Sequence, residues 1–397
     1  MQRRISRWGG FFAVTFVLGL GISVGSMPSP LYPLYQSAWQ IPPSALSYIF
    51  TAYMAGVIVS LLCLGRLSEV FGRFRIIVSA LVLICMGLLI SALAGEVATL
   101  IGARALIGLG NGLLTTAGAM ALVDVHPSHD KRIASFTTSL SITAGFGLGT
   151  AFSGALAQLG FAPLVLPYLV MLILALAGLA LVVRTCSSLP RPLAIRPRIS
   201  IWPRMALPAG PKRPLFLLAG ATGLMTFAVG SLFGSMVPPL LQTVLPWKGP
   251  AVIGVAFLFM VAISIVTQLT QRGIPVFKGL AYGMFAFVGA LGTLALGLLT
   301  ESVAALIASI MFTGLGQGLG FMESAILAGQ SADENRRAAN MSTYFFLSYL
   351  GATVPIIAVG LLADQLGLIP AVLVFCAIAA CALTALGLQA LKLARKA

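Results

Sequence analysis

The sequence predicts an all-α membrane protein with twelve transmembrane helices in two parallel-repeat bundles of six. Hydrophobic residues make up 59% of the 397 residues and charged residues only 8%, whereas soluble domains use roughly 25% charged residues. Apolar stretches recur along the whole chain, each long enough at about 20 residues to cross the hydrocarbon core of a bilayer. The third observation is an internal repeat, in which sequence features of the first half return about 206 residues later.

The apolar stretches are continuous rather than alternating, which favours helices over a membrane barrel. The predicted helices span residues 9–31, 46–65, 74–95, 97–124, 133–157, 164–183, 214–243, 249–270, 276–299, 302–328, 338–362 and 367–390.

The basic residues predict the orientation. With the N-terminus inside, 22 of the 24 Lys and Arg residues fall on cytoplasmic segments, and only Arg104 and Lys248 do not. This is the positive-inside pattern, with both termini cytoplasmic.

We therefore interpret the net charge of +15 as an orientation signal and an attraction to anionic lipid at the cytoplasmic face. Nucleic-acid binding is not expected, because no basic run is interleaved with stacking aromatics. The first helix is predicted to stay uncleaved, since no signal-peptidase-like site follows it.

The only long polar interruption runs from Arg184 to Arg213, with seven basic residues, six prolines and no acidic residue. It predicts a cytoplasmic linker against anionic headgroups. The expected organisation is an N-terminal bundle at 1–184, a linker at 185–213 and a C-terminal bundle at 214–397.

The halves share several motifs. Gly-Ser-Met at 25–27 returns at 234–236, and GLGNG at 108–112 returns as GLGQG at 314–318. Because six helices separate the copies, both run in the same direction across the membrane, which predicts two bundles facing a central cavity.

The segment Gly65-Arg-Leu-Ser-Glu69-Val-Phe-Gly72-Arg73-Phe-Arg75 is similar to the loop motif G-x-L-x-D-R-x-G-R-R/K of the major facilitator superfamily. With the repeat, the resemblance covers the whole chain; it departs from the motif at Glu69 and Val70. It implies a latch that holds the halves in the outward-open state, formed by Gly65, Glu69, Gly72, Arg73 and Asp124. The alternative is that the arginines only enforce topology.

Arg104 lies inside helix 4, where a charged side chain is costly. The run Arg104-Ala-Leu-Ile-Gly108-Leu-Gly110-Asn111-Gly112 resembles the helix-4 motif of the proton-coupled members of the superfamily, which implies a role in proton transfer or substrate binding. The alternative is an arginine that extends to the external interface.

Glu323 is an acidic residue within predicted helix 10 and has no counterpart in the first half, where Ala117 stands at the equivalent position. We expect Arg104, Glu323 and Asp124 to take part in proton coupling. A structural carboxylate that pairs with a cytoplasmic Arg or a helix N-terminus explains Glu323 equally well.

Helix 5 resembles an antiporter motif, G-P-x-x-G-G, with Thr150 in place of the proline and Ser153 in place of a glycine. A gate at Gly145, Gly149 and Gly154 is implied, although small-residue packing explains the same glycines.

A sparse set of uncharged polar groups suits an apolar substrate cavity with few hydrogen bonds. For Tyr32, a place in the interfacial aromatic belt is favoured over a substrate contact, which stays the alternative. The candidate cavity residues are Tyr32, Tyr53, Asn111, Gln242, Gln317 and Tyr344.

The five cysteines and two histidines do not have the spacing of a metal site, and the sequence has no phosphate-binding loop, so no metal or cofactor is expected. No nucleophile is paired with a base, so an enzyme is not expected.

The sequence thus favours a monomeric secondary transporter in a bacterial cytoplasmic membrane, exporting hydrophobic or amphipathic compounds in exchange for protons. A same-fold transporter of a sugar, amino acid or other metabolite, or an importer, is the first alternative. A receptor or scaffold without flux is the second.

Overall fold

A computed structural model describes residues 2–64, 67–128, 130–186, 205–271, 273–333 and 336–395, and within these ranges the chain forms helices and no strand. Twelve of its helical spans are long and apolar enough to cross a membrane. The predicted fold class is therefore confirmed. The α-helices are α1 (Gln2–Ser26), α2 (Tyr32–Trp39), α3 (Pro43–Val59), α4 (Leu67–Phe71), α5 (Arg73–Ala92), α6 (Val97–Val125), α7 (Lys131–Gln158), α8 (Leu166–Thr185), α9 (Lys212–Ser235), α10 (Val237–Val244), α11 (Pro250–Thr270), α12 (Val276–Thr300), α13 (Val303–Ser331), α14 (Arg337–Leu366) and α15 (Leu368–Ala394).

The first span is interrupted by prolines. Helix α1 ends at Ser26, a 3₁₀ turn covers Ser29–Leu31, and α2 follows directly. Pro28 has no N–H group, so the carbonyl of Val24 loses its intrahelical partner four residues on. The sequence therefore leaves free carbonyl groups at a defined depth, and these become part of the site described below.

The chain divides into two compact units. One comprises the described residues within Met1–Leu31 and Ala52–Pro203, and the other those within Tyr32–Thr51 and Arg204–Ala397. Residues 32–51 thus group with the second unit, whereas the sequence assigned them to an N-terminal bundle at 1–184. The linker predicted at 185–213 lies largely outside the described residues, so its course stays a prediction.

Both units are built by the same packing scheme. In the first, α5 packs on α6 and α8, while α1 packs on α6 and α7. In the second, α12 packs on α13 and α15, while α9 packs on α13 and α14. In these pairs, each helix repeats the neighbours of its counterpart six spans earlier.

Glycines of the repeat allow these helices to approach closely. A Cβ on Gly110 would lie 2.8 Å from the carbonyl oxygen of Ala80, and one on Gly316 would lie 2.7 Å from the ring of Phe287. Such distances are too short for a real side chain, so both glycines are required where α6 meets α5 and α13 meets α12. The repeat seen in the sequence is therefore a repeat of helix contacts.

Residues 32–51 join the second unit through a seam between α3 and α14. The backbone N–H of Ser44 donates to Oδ1 of Asp364 at 3.0 Å, and Oγ of Ser47 donates to the carbonyl of Ile356 at 2.9 Å. Gly360 lies between these contacts, where any Cβ would collide with Ser47. The three α14 positions are spaced by four residues, so they form one face of that helix.

Candidate functional site

Arg104 lies on α6 of the first unit and is 1% exposed. Its Nη2 donates to the carbonyl of Gly25 at 2.9 Å, and its Nη1 donates to that of Val24 at 3.5 Å. These carbonyls belong to the last turn of α1, where the helix dipole is negative and the backbone lacks partners. The guanidinium therefore caps α1 and does not extend to the external rim.

Tyr53 and Asn111 complete what we call the arginine cluster, the set Arg104, Tyr53 and Asn111. The guanidinium carbon of Arg104 lies 4.6 Å from the centroid of the Tyr53 ring, a cation–π distance. Nδ2 of Asn111 donates to the carbonyl of Gly21 at 2.7 Å and to the hydroxyl of Tyr53 at 3.3 Å. Three helices, α1, α3 and α6, thus meet on one buried cation.

Glycine at two positions makes this meeting possible. A Cβ on Gly25 would lie 2.7 Å from Cζ of Tyr53, and one on Gly108 would lie 3.0 Å from the carbonyl carbon of Tyr53. Gly108, part of the glycine motif that the two halves share, thus packs against α3. Gly25 was noted only as part of the repeat.

The cluster retains unused hydrogen-bonding capacity. Nε of Arg104 and Oδ1 of Asn111 are buried and form no hydrogen bond within the described residues. Buried polar groups without partners are uncommon and costly. The arginine is also held by carbonyls and a ring rather than by a carboxylate in the described part of the chain. Its partners can therefore change without breaking an ion pair.

Three of the predicted latch residues, Gly72, Arg73 and Asp124, lie where α5 begins and α6 ends. Arg73 forms an ion pair with Asp124, and its Nη1 donates to the carbonyl of Met120 at 3.0 Å. Gly72 has φ +87°, a left-handed conformation that favours glycine, and it lets α5 begin directly after α4. Gly65 and the Glu69 side chain lie outside the described residues. Both ion-pair partners belong to the first unit, so the latch role stays a prediction.

Glu323 is 3% exposed on α13, and its Oε2 is buried without a hydrogen-bond partner in the described structure. A Cβ on Gly279 would lie 2.9 Å from Oε1 of Glu323, so the carboxyl group packs against the first turns of α12. Gly316 and Gly320 face α12 from the same side of α13. Glu323 therefore lies between two packed helices of the second unit.

The other candidate cavity residues lie apart in the second unit. Tyr344 is fully buried in a core cluster, and its hydroxyl lies 2.8 Å from Oγ of Ser324. Tyr32 is likewise fully buried. Gln317 on α13 faces Gly230 on α9, and its Oε1 has no hydrogen-bond partner among the described residues. Gln242 lies on the short helix α10. A substrate could reach Tyr32 or Tyr344 only after helices separate, so their cavity role stays a prediction.

Two of the three candidate gate glycines of predicted helix 5, Gly145 and Gly149, pack against α1. Gly145 contacts the carbonyl of Gly19, a Cβ on Gly149 would lie 2.5 Å from Cα of Ser23, and Gly154 is buried. These contacts fit the packing explanation of the glycines. Whether they also form a gate stays a prediction.

Three serine hydroxyls form hydrogen bonds across the interface between α1 and α7, and the sequence did not clearly indicate them. Ser23 donates to the carbonyl of Gly145 at 2.9 Å, Ser26 to that of Phe146 at 2.9 Å, and Ser153 to that of Met27 at 2.6 Å. Only the spacing of Ser23 and Ser26 beside the proline break could have indicated them.

In the part of the chain described, no group of three or more His, Cys, Asp or Glu side chains could hold a metal.

The chain belongs to the Major Facilitator Superfamily, whose family profile matches residues 11–354. The twelve apolar helical spans of the described residues agree with a multi-pass membrane protein of that family.

Curated relatives match only parts of the chain. Multidrug resistance protein fnx1 of Schizosaccharomyces pombe is 30% identical over 128 residues, which is 32% of this chain and 24% of that protein. Putative metabolite transport protein YwtG of Bacillus subtilis is 31% identical over 97 residues, 24% of this chain and 21% of that one. The chain thus matches about a quarter or less of the length of these relatives.

Solved structures match nearly the whole chain at low identity. A peptide transporter POT variant in complex with sulfate has a TM-score of 0.77 at 18% identity, covering 98% of this chain and 94% of that one. A bacterial homologue of the human lysosomal transporter Spinster, in an inward-facing and unoccupied conformation, has a TM-score of 0.73 at 14% identity, covering 98% of both chains. These likenesses support the fold alone.

Proposed function

We propose that the protein exports hydrophobic or amphipathic small molecules in exchange for protons by alternating access, from a bacterial cytoplasmic membrane with both termini inside. The carrying observation is the arginine cluster. A buried cation caps a broken helix through neutral carbonyls, beside an Asn111 oxygen that has no hydrogen-bond partner in the described structure. The partial relation to a multidrug resistance protein supports the substrate class.

The cluster suits coupling because its bonds are exchangeable. Moving Arg104 from the carbonyls of Val24 and Gly25 to another acceptor would release the end of α1 without leaving a carboxylate unpaired. The cation would remain beside the ring of Tyr53 throughout. In this mechanism, binding of a substrate or a proton changes the hydrogen bonds of Arg104, and this change couples the position of α1 to that of α6.

Glu323 is the proposed proton carrier in the second unit. Its packed surroundings provide no partner for Oε2 in the described structure, and an uncompensated charge at such a position is costly. Gain and loss of its proton would therefore be tied to a movement of α13 against α12. Arg104 acts on a different unit, so the two groups need no direct contact.

The test uses proteoliposomes with an imposed proton gradient and a panel of lipophilic fluorescent cations, sugars and amino acids. We expect the transport of lipophilic compounds to be accompanied by proton movement in the opposite direction, and we expect the imposed proton gradient to drive that transport. Arg104→Lys, which keeps the charge but loses the fork-shaped guanidinium, should lower coupled transport by more than about tenfold, or about 1.4 kcal/mol on the barrier.

The matched control is Arg213→Lys, at an exposed position near the start of α9. Coupled transport unchanged in Arg104→Lys would return this residue to a structural capping role. Proton movement with none of the compounds would contradict transport coupling altogether.

A metabolite transporter is the second candidate, favoured by the partial match to a putative metabolite transport protein. In the same assay, proton movement with sugars or amino acids but not with lipophilic cations would support it.

A further inference from the structure

A cleft of about 570 Å³ opens among α9, α13 and α14 of the second unit. Its lining combines two cations, Lys212 and Arg337, with apolar surface that includes Ile326 and Met341. Among the described residues, no acidic side chain lines it. The cleft thus places positive charge beside an apolar wall, a combination that suits an anionic amphiphile.

The charges in the cleft are not neutralised by the described protein. Lys212 begins α9, and Arg337 begins α14, so both cations add to the positive ends of helix dipoles. Neither residue forms a salt bridge with a described acidic side chain. Within the described residues, the side chain of Lys212 donates one hydrogen bond, to the carbonyl of Ala332 at 3.5 Å. An anion placed between them would meet two cations and two helix N-termini.

The walls of the cleft are held in place by hydrogen bonds. Asn340 is fully buried, its Nδ2 donates to the carbonyl of Ala206 at 2.9 Å, and its Oδ1 accepts the N–H of Asp333 at 3.0 Å. Thr343 accepts the N–H of Ala206 at 3.0 Å. The segment that leads into α9 is thereby fixed to α14, which sets the distance between the two cationic helix ends.

Gly329 shapes the floor of the cleft. A Cβ there would lie 3.6 Å from Nη2 of Arg337, so the guanidinium extends over this glycine. A larger side chain at this position would fill the space between the cation and the apolar wall.

We propose that this cleft binds an anionic phospholipid, with the phosphate group between Lys212 and Arg337 and the upper acyl chain against Ile326 and Met341. Basic pockets between membrane helices suit such headgroups. The site goes beyond the transport function and depends on neither substrate nor coupling. It rests on the proposed orientation only in placing the lipid in the cytoplasmic leaflet.

The experiment measures lipid binding to the purified full chain in neutral detergent by native mass spectrometry. The probes are phosphatidylglycerol, phosphatidylcholine and, as a competitor, inorganic phosphate. We expect saturable binding of phosphatidylglycerol, weak binding of phosphatidylcholine, and little displacement by phosphate, because phosphate lacks the acyl chain. The double variant Lys212→Gln/Arg337→Gln should bind phosphatidylglycerol about tenfold more weakly.

A charge-matched control separates a built site from general attraction. Arg336→Gln/Lys392→Gln also removes two exposed cations, but neither residue lines the cleft, so its binding should stay near wild type. Gly329→Leu keeps every charge and fills the cleft, so it should also weaken binding. Thermal unfolding of each variant checks that the fold is retained.

Three results would overturn the proposal. Equal losses in the two double variants would indicate surface charge alone. Full displacement by phosphate together with unchanged binding in Gly329→Leu would indicate a site for free anions. Unchanged binding in Lys212→Gln/Arg337→Gln would show that the lipid binds elsewhere.

Discussion

Single residues carry the asymmetry between the two units. Arg104 has Ile310 at the equivalent position of the second half, and Glu323 has Ala117 in the first. Both ionisable side chains are at least nine-tenths buried, and such groups in membrane helices are typically functional. The packing scaffold is repeated, whereas the charged groups are not. Function is therefore expected to depend on residues that the repeat does not duplicate.

Glu323→Gln should abolish proton-driven transport by at least about tenfold while leaving thermal stability close to wild type, because the amide keeps the size of the side chain but cannot exchange a proton. The measurement is substrate flux under an imposed proton gradient, with Glu301→Gln as the control at an exposed acid. Normal gradient-driven transport in Glu323→Gln would move the coupling assignment to Arg104 or Asp124.

A second substitution tests whether the position of the carboxyl group matters. Gly279→Ala would place a Cβ 2.9 Å from Oε1 of Glu323, so the carboxyl group must shift while remaining titratable. We expect a change in the pH at which transport is half-maximal. If the pH profile of Gly279→Ala matches that of wild type, the contact between α12 and α13 has no part in coupling.

At the scale of elements, the ion pair between Arg73 and Asp124 joins α5 to α6. Both side chains are partly exposed, at 30% and 22%, and exposed pairs contribute only about 0–1 kcal/mol. Arg73 also bonds to the carbonyl of Met120. Any importance of the pair should therefore appear in the balance between conformations rather than in the free energy of unfolding.

Asp124→Asn should leave the melting temperature nearly unchanged and reduce the population of the outward-open state. The measurement is the rate at which an impermeant maleimide modifies Ser29→Cys, a position 3% exposed in this conformation, in a background without native cysteines. Asp130→Asn is the control. Equal labelling rates with and without Asp124→Asn would argue against the latch.

The seam between α3 and α14 gives an element-level prediction for stability. Gly360→Ala would force a methyl group into Ser47, and overpacking of this kind costs about 1–3 kcal/mol. We expect a lower melting temperature in detergent. Gly292→Ala is the matched control, since a Cβ there meets nothing within 4 Å. A melting temperature unchanged by Gly360→Ala would mean that the seam is already loose.

At the scale of the whole molecule, the distribution of basic residues predicts orientation. The experiment uses intact cells that express a variant of the protein without its native cysteines. In that background, Glu301→Cys should react with an impermeant maleimide from outside, whereas Ser128→Cys should react only after permeabilisation. Both positions are exposed in the structure, so burial does not bias the comparison. The reverse pattern would contradict both cytoplasmic termini and invert the proposed direction of transport.

Much of the architecture was predictable because membrane insertion acts on local sequence. A helix must satisfy its own backbone in lipid, so length and hydropathy alone located all twelve spans. Contacts between distant residues were less accessible. The capping of α1 by Arg104, the facing of Glu323 toward Gly279 and the serine hydrogen bonds between α1 and α7 depend on how helices rotate and cross, which apolar composition does not specify.

The sequence by itself determined the number of helices, the repeat, the family resemblance and the residues that break the symmetry, because each is written in composition or spacing. Only the tertiary structure decided that Arg104 meets the free carbonyls at the end of α1, that residues 32–51 pack in the second unit, and that Lys212 and Arg337 share a cleft. The physical reason is that a side chain's partners are set by helix approach, and glycines such as Gly25 and Gly360 have an effect only where another helix comes near.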